Sequence, residues 1–246
     1  MQMKRYRRIL MVMVLAIVAC VVGAVPSAQA LFILQLDDLG SGGPEFTITD
    51  NGANDNDPTF GVINFASFTS GPVGNFSINV TTGITKPFLG NGLTKAAMKL
   101  SNVTITTTTG GTLGMRLTDT DFNLSGIATP DQIIFSSEIG GVISSSIDST
   151  AYIDFGNNEF GMGGPSLVHS TLGPGAFSET LDDSVLYTGG DFSMTIDSAI
   201  TLGASSSASF DQDLTATTPE PNTLFLLVIG IIGTAIYGWR RRKEAA

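Results

Sequence analysis

Between two apolar runs, at residues 9–25 and 223–239, lie 188 residues (31–218) in which no helical pattern lasts longer than eight positions. What recurs instead is a two-residue alternation, clearest at Phe76-Ser77-Ile78-Asn79-Val80, which puts apolar and polar side chains on opposite faces of a strand. Val, Ile, Thr and Phe dominate, as a pleated, half-buried surface prefers. Clusters of Gly, Asn, Asp, Ser and Pro punctuate them at short intervals. Candidate strands are residues 46–49, 59–68, 76–80, 103–109, 112–117, 132–135, 142–147, 151–155, 192–197 and 200–202. Gly110-Gly111 between two of them reads as a two-residue hairpin turn. Residues 93–100 fit a short helix or a strand, and residues 205–209 read as a loop before a final strand or a linker. About ten strands without a long helix predict an all-β domain, an antiparallel β-sandwich of two sheets over one core. No sustained repeat supports a solenoid, and residues 106–109 read as an exposed threonine face.

Charge narrows the functions open to this stretch. It holds four basic side chains (Lys86, Lys95, Lys99 and Arg116) and 20 acidic ones, a formal charge of −16 against −10 for the whole chain. Such a surface repels nucleic acid and anionic lipid and attracts cations, which excludes DNA or RNA as partners. The charges are scattered, as on a solvated folded surface. Cys20, the single cysteine, lies in the first apolar run, so residues 31–218 contain no disulfide framework. The sequence Ile17-Val18-Ala19-Cys20 departs from a lipoprotein signal by having Ile17 where a Leu-type residue is usual.

The ends carry addresses. Lys4, Arg5, Arg7 and Arg8 precede the first apolar run, and Ala28-Gln29-Ala30 follows it as a small-x-small cleavage signature. Residues 1–30 therefore read as a signal peptide for the general secretion machinery, cut by signal peptidase after Ala30. The second run, residues 223–239, holds no charge; as a helix it is roughly 25 Å long, the short end of a bilayer core. Arg240, Arg241, Arg242 and Lys243 follow and would stay cytoplasmic, with Tyr237 and Trp239 at the headgroups. Gly230, Thr234 and Gly238 fall four apart and give the span one nearly smooth face. Pro219 and Pro221 disfavour helix ahead of the span and leave Glu220 extended and accessible.

Pro-Glu-Pro, one span and an Arg-rich end within residues 219–246 resemble the PEP-CTERM sorting signal of Gram-negative bacteria. Such tails are recognised by exosortases, membrane-embedded cysteine transpeptidases. The resemblance implies that Pro219, Glu220 and Pro221 form the recognition motif, residues 223–239 the transmembrane anchor, and Arg240, Arg241, Arg242 and Lys243 the retention cluster. It implies an exported substrate rather than an enzyme. Such a protein is transiently anchored in the cytoplasmic membrane with its C-terminus inside, then moves to the cell surface or extracellular matrix. Exosortase is the implied partner, and exopolysaccharide of a biofilm the implied setting. Asp50-Asn51-Gly52, Val80-Thr81-Thr82-Gly83 and Asp119-Thr120-Asp121-Phe122 loosely resemble the bodies of other such proteins, which implies a β-rich extracellular domain.

Within the body, Asp50-Asn51-Gly52-Ala53-Asn54-Asp55-Asn56-Asp57-Pro58 crowds oxygen donors as a Ca²⁺ site requires. It departs from the EF-hand pattern, and the same residues build ordinary turns. The Asp119/Asp121 and Asp182/Asp183 pairs are weaker candidates. His169, the single histidine, stands beside Ser170 in a Gly- and Pro-rich setting and reads as a surface loop residue. No Gly-x-Ser-x-Gly elbow accompanies it, and one His without Cys does not make an ordinary zinc site. Residues 31–218 contain no tryptophan, which weighs against aromatic stacking on sugars. The sequence therefore assigns no catalytic or metal residue and no cofactor beyond the Ca²⁺ candidate. A structural surface or matrix protein is the leading reading. A calcium- or carbohydrate-binding adhesin module comes second and an extracellular hydrolase third.

Overall fold

The computed structural model of the chain describes residues 31–40, 42–90, 93–127, 129 and 131–218. The expected signal peptide with Ala28 and Ala30, the motif Pro219, Glu220 and Pro221, the 223–239 run and the Arg240–Lys243 cluster lie outside the described residues. No helix of the described residues is long and apolar enough to cross a membrane.

The alternating apolar pattern folds into strands β1 (Ile33–Asp38), β2 (Phe46–Thr49), β3 (Val62–Ala66), β4 (Phe76–Ile84), β5 (Lys95–Thr107) and β6 (Gly111–Phe122). They continue as β7 (Asp131–Ile143), β8 (Ser146–Asp154), β9 (Ser166–Leu172), β10 (Gly175–Tyr187), β11 (Phe192–Leu202) and β12 (Ser206–Thr217). A four-residue helix, α1 (Ser67–Ser70), follows β3. One sheet has the order β2-β1-β6-β11-β8-β9 and the other β10-β7-β12-β5-β4-β3. Every pairing is antiparallel. From β5 onward each connection except β8–β9 crosses between sheets, so β10-β7-β12-β5 over β6-β11-β8-β9 is a jelly roll. Strands β1 and β2 extend one sheet beyond β6, and β3 and β4 extend the other beyond β5.

Inward positions from both sheets meet in one core. Leu34, Leu36, Met115, Leu117, Ile196 and Ile200 come from one side, and Met98, Ile105, Phe135, Ile139, Phe210 and Leu214 from the other. In β5 the buried phase runs Ala96, Met98, Leu100 and then shifts to Val103, Ile105, Thr107. Such a phase slip turns a strand inside out unless an extra residue absorbs it. Asn102 does so at φ 55°, and its amide donates to Asp211 Oδ1 at 2.6 Å across the irregularity in β12.

Several sequence expectations are corrected here. Gly110-Gly111 does not turn a hairpin, because β5 and β6 belong to different sheets. A Cβ on Gly110 would stand 2.9 Å from the Leu202 carbonyl oxygen, so the glycine serves close passage of two intersheet connections. Of the two readings left open for residues 93–100, helix or strand, the strand holds from Lys95 onward, with Ala96, Met98 and Leu100 on one face. Residues 206–209 are strand, not loop: Ser206, Ser207, Ala208 and Ser209 pair with Thr107, Thr106, Ile105 and Thr104. No linker separates the domain from residue 218, since the Thr218 amide still donates to Thr94 O at 3.1 Å. Residues 142–147 span the end of β7 and the start of β8, and β11 joins segments read as two strands. Residues 106–109 are not one exposed strand face: Thr106 is exposed, Thr107 is buried, and β5 ends at Thr107.

Leu31 is pinned through its amide to Thr120 Oγ1 at 3.1 Å, beside the end of β6. Thr218 is pinned beside the start of β5. Both ends of the body thus emerge at the same end of the sandwich.

Truncating the fully buried Phe135 to Ala should cost about 3–5 kcal/mol in urea unfolding. A Cβ on Gly141 would lie 2.6 Å from Phe210 Cβ, so Gly141→Ala should cost about 1–3 kcal/mol by displacing the irregular part of β12.

Candidate functional site

The 50–58 loop closes on its own backbone. Asp50 Oδ2 accepts the Gly61 amide at 2.8 Å. Asp55 Oδ1 takes the amides of Asp57 (3.0 Å) and Asn64 (2.9 Å), and its Oδ2 takes that of Asn51 (2.8 Å). Asp57 Oδ1 accepts from Thr59 N at 2.9 Å. These carboxylates shape turns by capping successive amides. Burial pushes the Asp50 carboxyl above its ordinary value, opposed by the bond from Gly61. No group of three or more His, Cys, Asp or Glu poised for a metal ion occurs among the described residues. Asp182 and Asp183 lie exposed on β10, far along the chain from the Asp119/Asp121 pair of β6.

His169 is not a surface loop residue. It sits on β9 with its side chain fully buried, its neighbour Ser170 facing solvent. Nδ1 lies 2.7 Å from Glu179 Oε2 on β10, and Nε2 lies 2.9 Å from Ser137 Oγ on β7. Ser137 Oγ also accepts from Gln212 Nε2 at 3.3 Å, and Gln212 Oε1 accepts from Ser149 Oγ at 2.9 Å. Ser149 in turn meets Ser198 at 2.8 Å. Because each hydroxyl owns one proton, the chain runs consistently if Ser137 donates to Nε2 and Nδ1–H donates to Glu179. Serine, histidine and carboxylate follow the order of a hydrolytic triad. Here, however, Ser137 is fully buried inside the sandwich, where its oxygen is shared with Gln212 rather than open to a substrate. Alternation along β7, β9 and β10 marks these three positions as inward, but which inward residues meet across two sheets is set by topology.

The remaining concentration of chemistry lies where the chain leaves the domain. Asp119, fully buried on β6, accepts from Thr85 Oγ1 at 2.5 Å and pairs with Lys86 Nζ at 3.1 Å. Lys86 Nζ also donates to Thr120 O and stands 4.0 Å over the Phe122 ring. Phe122 stacks with Phe192, which meets Tyr187 edge-on, so an aromatic cluster braces the ammonium from below. Burial pushes the Asp119 carboxyl above its ordinary value even with Lys86 alongside, and burial pushes Lys86 below its own. Asp119 Oδ1 has no hydrogen-bond partner among the described residues. Above this pair opens a cavity of about 410 Å³ lined by Lys86, Leu89, Leu93, Lys95, Phe122 and Asn123, with Asp121 at its wall. The Asp121 carboxylate is held by Asn157 Nδ2 at 2.6 Å, and Asn123 Nδ2 is turned to Asp191 at 2.8 Å. Gly61, at φ 79°, lets its loop press directly on the Lys86 carbonyl, which fixes the cavity's flank. The sequence singled out Asp119 and Asp121 but not Lys86, whose partner lies 33 positions away.

Two substitutions test these assignments. Ser137→Ala strips His169 Nε2 of its partner and should cost about 1–3 kcal/mol in urea unfolding. Lys86→Met leaves Asp119 buried without its counterion and should cost about 3–5 kcal/mol near neutral pH. The folded Asp119 carboxyl then holds a proton more tightly than the unfolded one. The deficit is therefore full above its raised folded value and shrinks as pH falls through it toward the ordinary 3.8. Urea midpoints at a series of pH values measure both effects.

No curated protein matches the sequence significantly. Among solved structures, the chain is similar to TmCBM61 in complex with beta-1,4-galactotriose (11% identity, TM-score 0.28, 60% of this chain and 92% of that one). It is similar to the exo-beta-1,3-galactanase of Phanerochaete chrysosporium with galactose (14%, 0.26, 57% and 32%) and to infectious bursal disease virus Gx strain (11%, 0.29, 81% and 54%). These likenesses are too slight to bear on ligand or activity. The tail is different in kind. Residues 217–243 match the family model of the PEP-CTERM protein-sorting motif, a span that contains Pro219, Glu220 and Pro221 and ends on Lys243. The chain thus carries a PEP-CTERM protein-sorting motif at residues 217–243, beginning where β12 ends.

Proposed function

We propose that the chain is an exosortase substrate whose acidic jelly roll is delivered to the cell surface or the exopolysaccharide matrix, where it serves a structural role. The observation that carries this reading is the sorting-motif match at residues 217–243, abutting the last strand. A cut at or beyond residue 219 removes no residue of either sheet, so processing releases an intact domain. In this reading signal peptidase and the general secretion machinery act first, the tail holds the chain in the cytoplasmic membrane, and exosortase acts last. The protein is a substrate and not an enzyme. His169, Asp50, Asp55 and Asp57 support a passive body, because each is engaged in hydrogen bonds within the fold. The charge of −16 suits bridging to anionic polymer through divalent cations.

The mass and location of the mature protein test the proposal. The expected product begins at Leu31, ends near Pro219-Glu220-Pro221 and is found outside the cytoplasmic membrane. Glu220→Ala should accumulate the uncut form. An intact tail retained in the inner membrane of an exosortase-bearing host would reduce the motif to an anchor and overturn the processing step. Cell aggregation that neither chelator nor deletion of the protein alters would remove the bridging role.

A further inference from the structure

We propose that Pro219-Glu220-Pro221 docks on the cavity at the end of its own β-domain, with Glu220 against Lys95 and the proline rings on Leu89, Leu93 and Phe122. Chain length is the first argument. Thr218 N donates to Thr94 O at 3.1 Å, and Thr217 is the register partner of Lys95, so the chain leaves the domain beside the cavity rim. Glu220 follows Thr218 by two residues, a reach of at most about 7 Å along the backbone.

Charge is the second argument. The body holds 20 carboxylates against four cations, so a further carboxylate is repelled almost everywhere on it. Lys99 is paired with Asp213 and Arg116 with Asp197, each at 3.0 Å, and Lys86 is paired with Asp119 beneath the cavity. Among the described residues Lys95 is the cation without a carboxylate partner, and it stands on the cavity rim. Asp121, at the cavity wall, is turned to Asn157. The third argument is shape and polarity. Leu93 is 53% exposed at the rim, and the cavity of about 410 Å³ presents apolar surface between two ammonium groups. Two proline rings flanking a carboxylate complement that arrangement, and prolines bring no amide donors to be left unpaired.

An ion pair at a cavity rim is weak and readily exchanged. Docking therefore holds the motif at a defined place without locking it. The cavity walls come from the β4–β5 connection, the start of β5 and the end of β6, which belong to different sheets, so a docked motif is a property of the folded domain. The consequence for processing rests on the proposed reading of the tail: exosortase meets the motif in a geometry that the folded body sets.

Zero-length coupling tests the contact. The uncut full chain, as an equal mixture of ¹⁴N and ¹⁵N protein in phosphatidylcholine nanodiscs, is treated with a water-soluble carbodiimide. An amide forms between Lys95 Nζ and the Glu220 carboxyl carbon, and the carbodiimide leaves with the displaced oxygen as a urea. Mass spectrometry is expected to show the Lys95–Glu220 crosslink within single chains, lost in Lys95→Gln and in Glu220→Gln. Coupling of Lys99 to Asp213 serves as the internal reference. If the reference couples while Glu220 stays uncoupled, the cavity is empty or filled by lipid and the docking is overturned. Coupling of Glu220 only between labelled and unlabelled chains assigns the cavity to a second copy and overturns it equally. Processing in exosortase-bearing cells is scored separately. Loss of cleavage with coupling intact removes the sorting reading alone, and cleavage with coupling absent removes the docking alone.

Discussion

The structure depends on the placement of β12. The last strand of the body lies at the interior of its sheet, paired with β5 on one side and β7 on the other. Without residues 206–217 that sheet falls into two pieces, β10-β7 and β5-β4-β3, and the core loses Phe210, Leu214 and the Gln212 amide. Each piece would expose unpaired edges and apolar faces. Closure of the sandwich therefore waits for the residues immediately ahead of the sorting motif. Non-local pairing of this kind is entropically slow to assemble, because long loops must close before they are rewarded. The order of the chain thus places completion of the fold and presentation of the tail at the same point.

Polar groups inside the sandwich are arranged so that almost every one is satisfied. The series from Ser198 through Ser149, Gln212, Ser137 and His169 to Glu179 crosses from one sheet to the other and reaches solvent only at its last member. A buried network with each donor matched specifies how two sheets face one another, since sliding either sheet would orphan several groups at once. Lys86 and Asp119 follow the same logic with charge. Desolvation works against both ionised forms, and the Thr85 hydroxyl, the Thr120 carbonyl and the Phe122 face offset part of it.

Much of the fold was legible because alternation is a local signal. The strand at Phe46–Thr49, the two segments that merge into Phe192–Leu202, the absence of a long helix among the described residues and the two-sheet architecture all follow from inward and outward side chains. Three strands escaped entirely for identifiable reasons, and β12 was left open between a final strand and a linker. Short β1 follows closely in sequence on the segment read as a signal peptide, and β9 and β10 are edge strands whose inward faces carry His169, Glu179 and half-exposed Leu181 rather than a full apolar row. Gly110-Gly111 misled because a tight turn within a sheet and a tight passage between sheets use the same residue. The shift from Ala96–Leu100 phase to Val103–Thr107 phase was present in the sequence as an irregularity and became intelligible once Asn102 was seen to absorb it. Lys86 and the Ser137–His169–Glu179 contact had no local signal, since their partners are brought together only by the long-range pairing of strands.

Attachment through an interior strand also has a mechanical meaning. Tension applied at Thr218 runs along β12, whose ladder to β5 extends from Ser206↔Thr107 to Thr217↔Lys95 and is flanked by a second ladder to β7. Pulling along such a strand loads the two ladders in shear, so many hydrogen bonds must fail together. A tether at an edge strand would instead open them one after another. Forced unfolding is governed by the height of the unfolding barrier rather than by equilibrium stability. A domain held to a surface at this point is therefore built to bear drag from its C-terminal side.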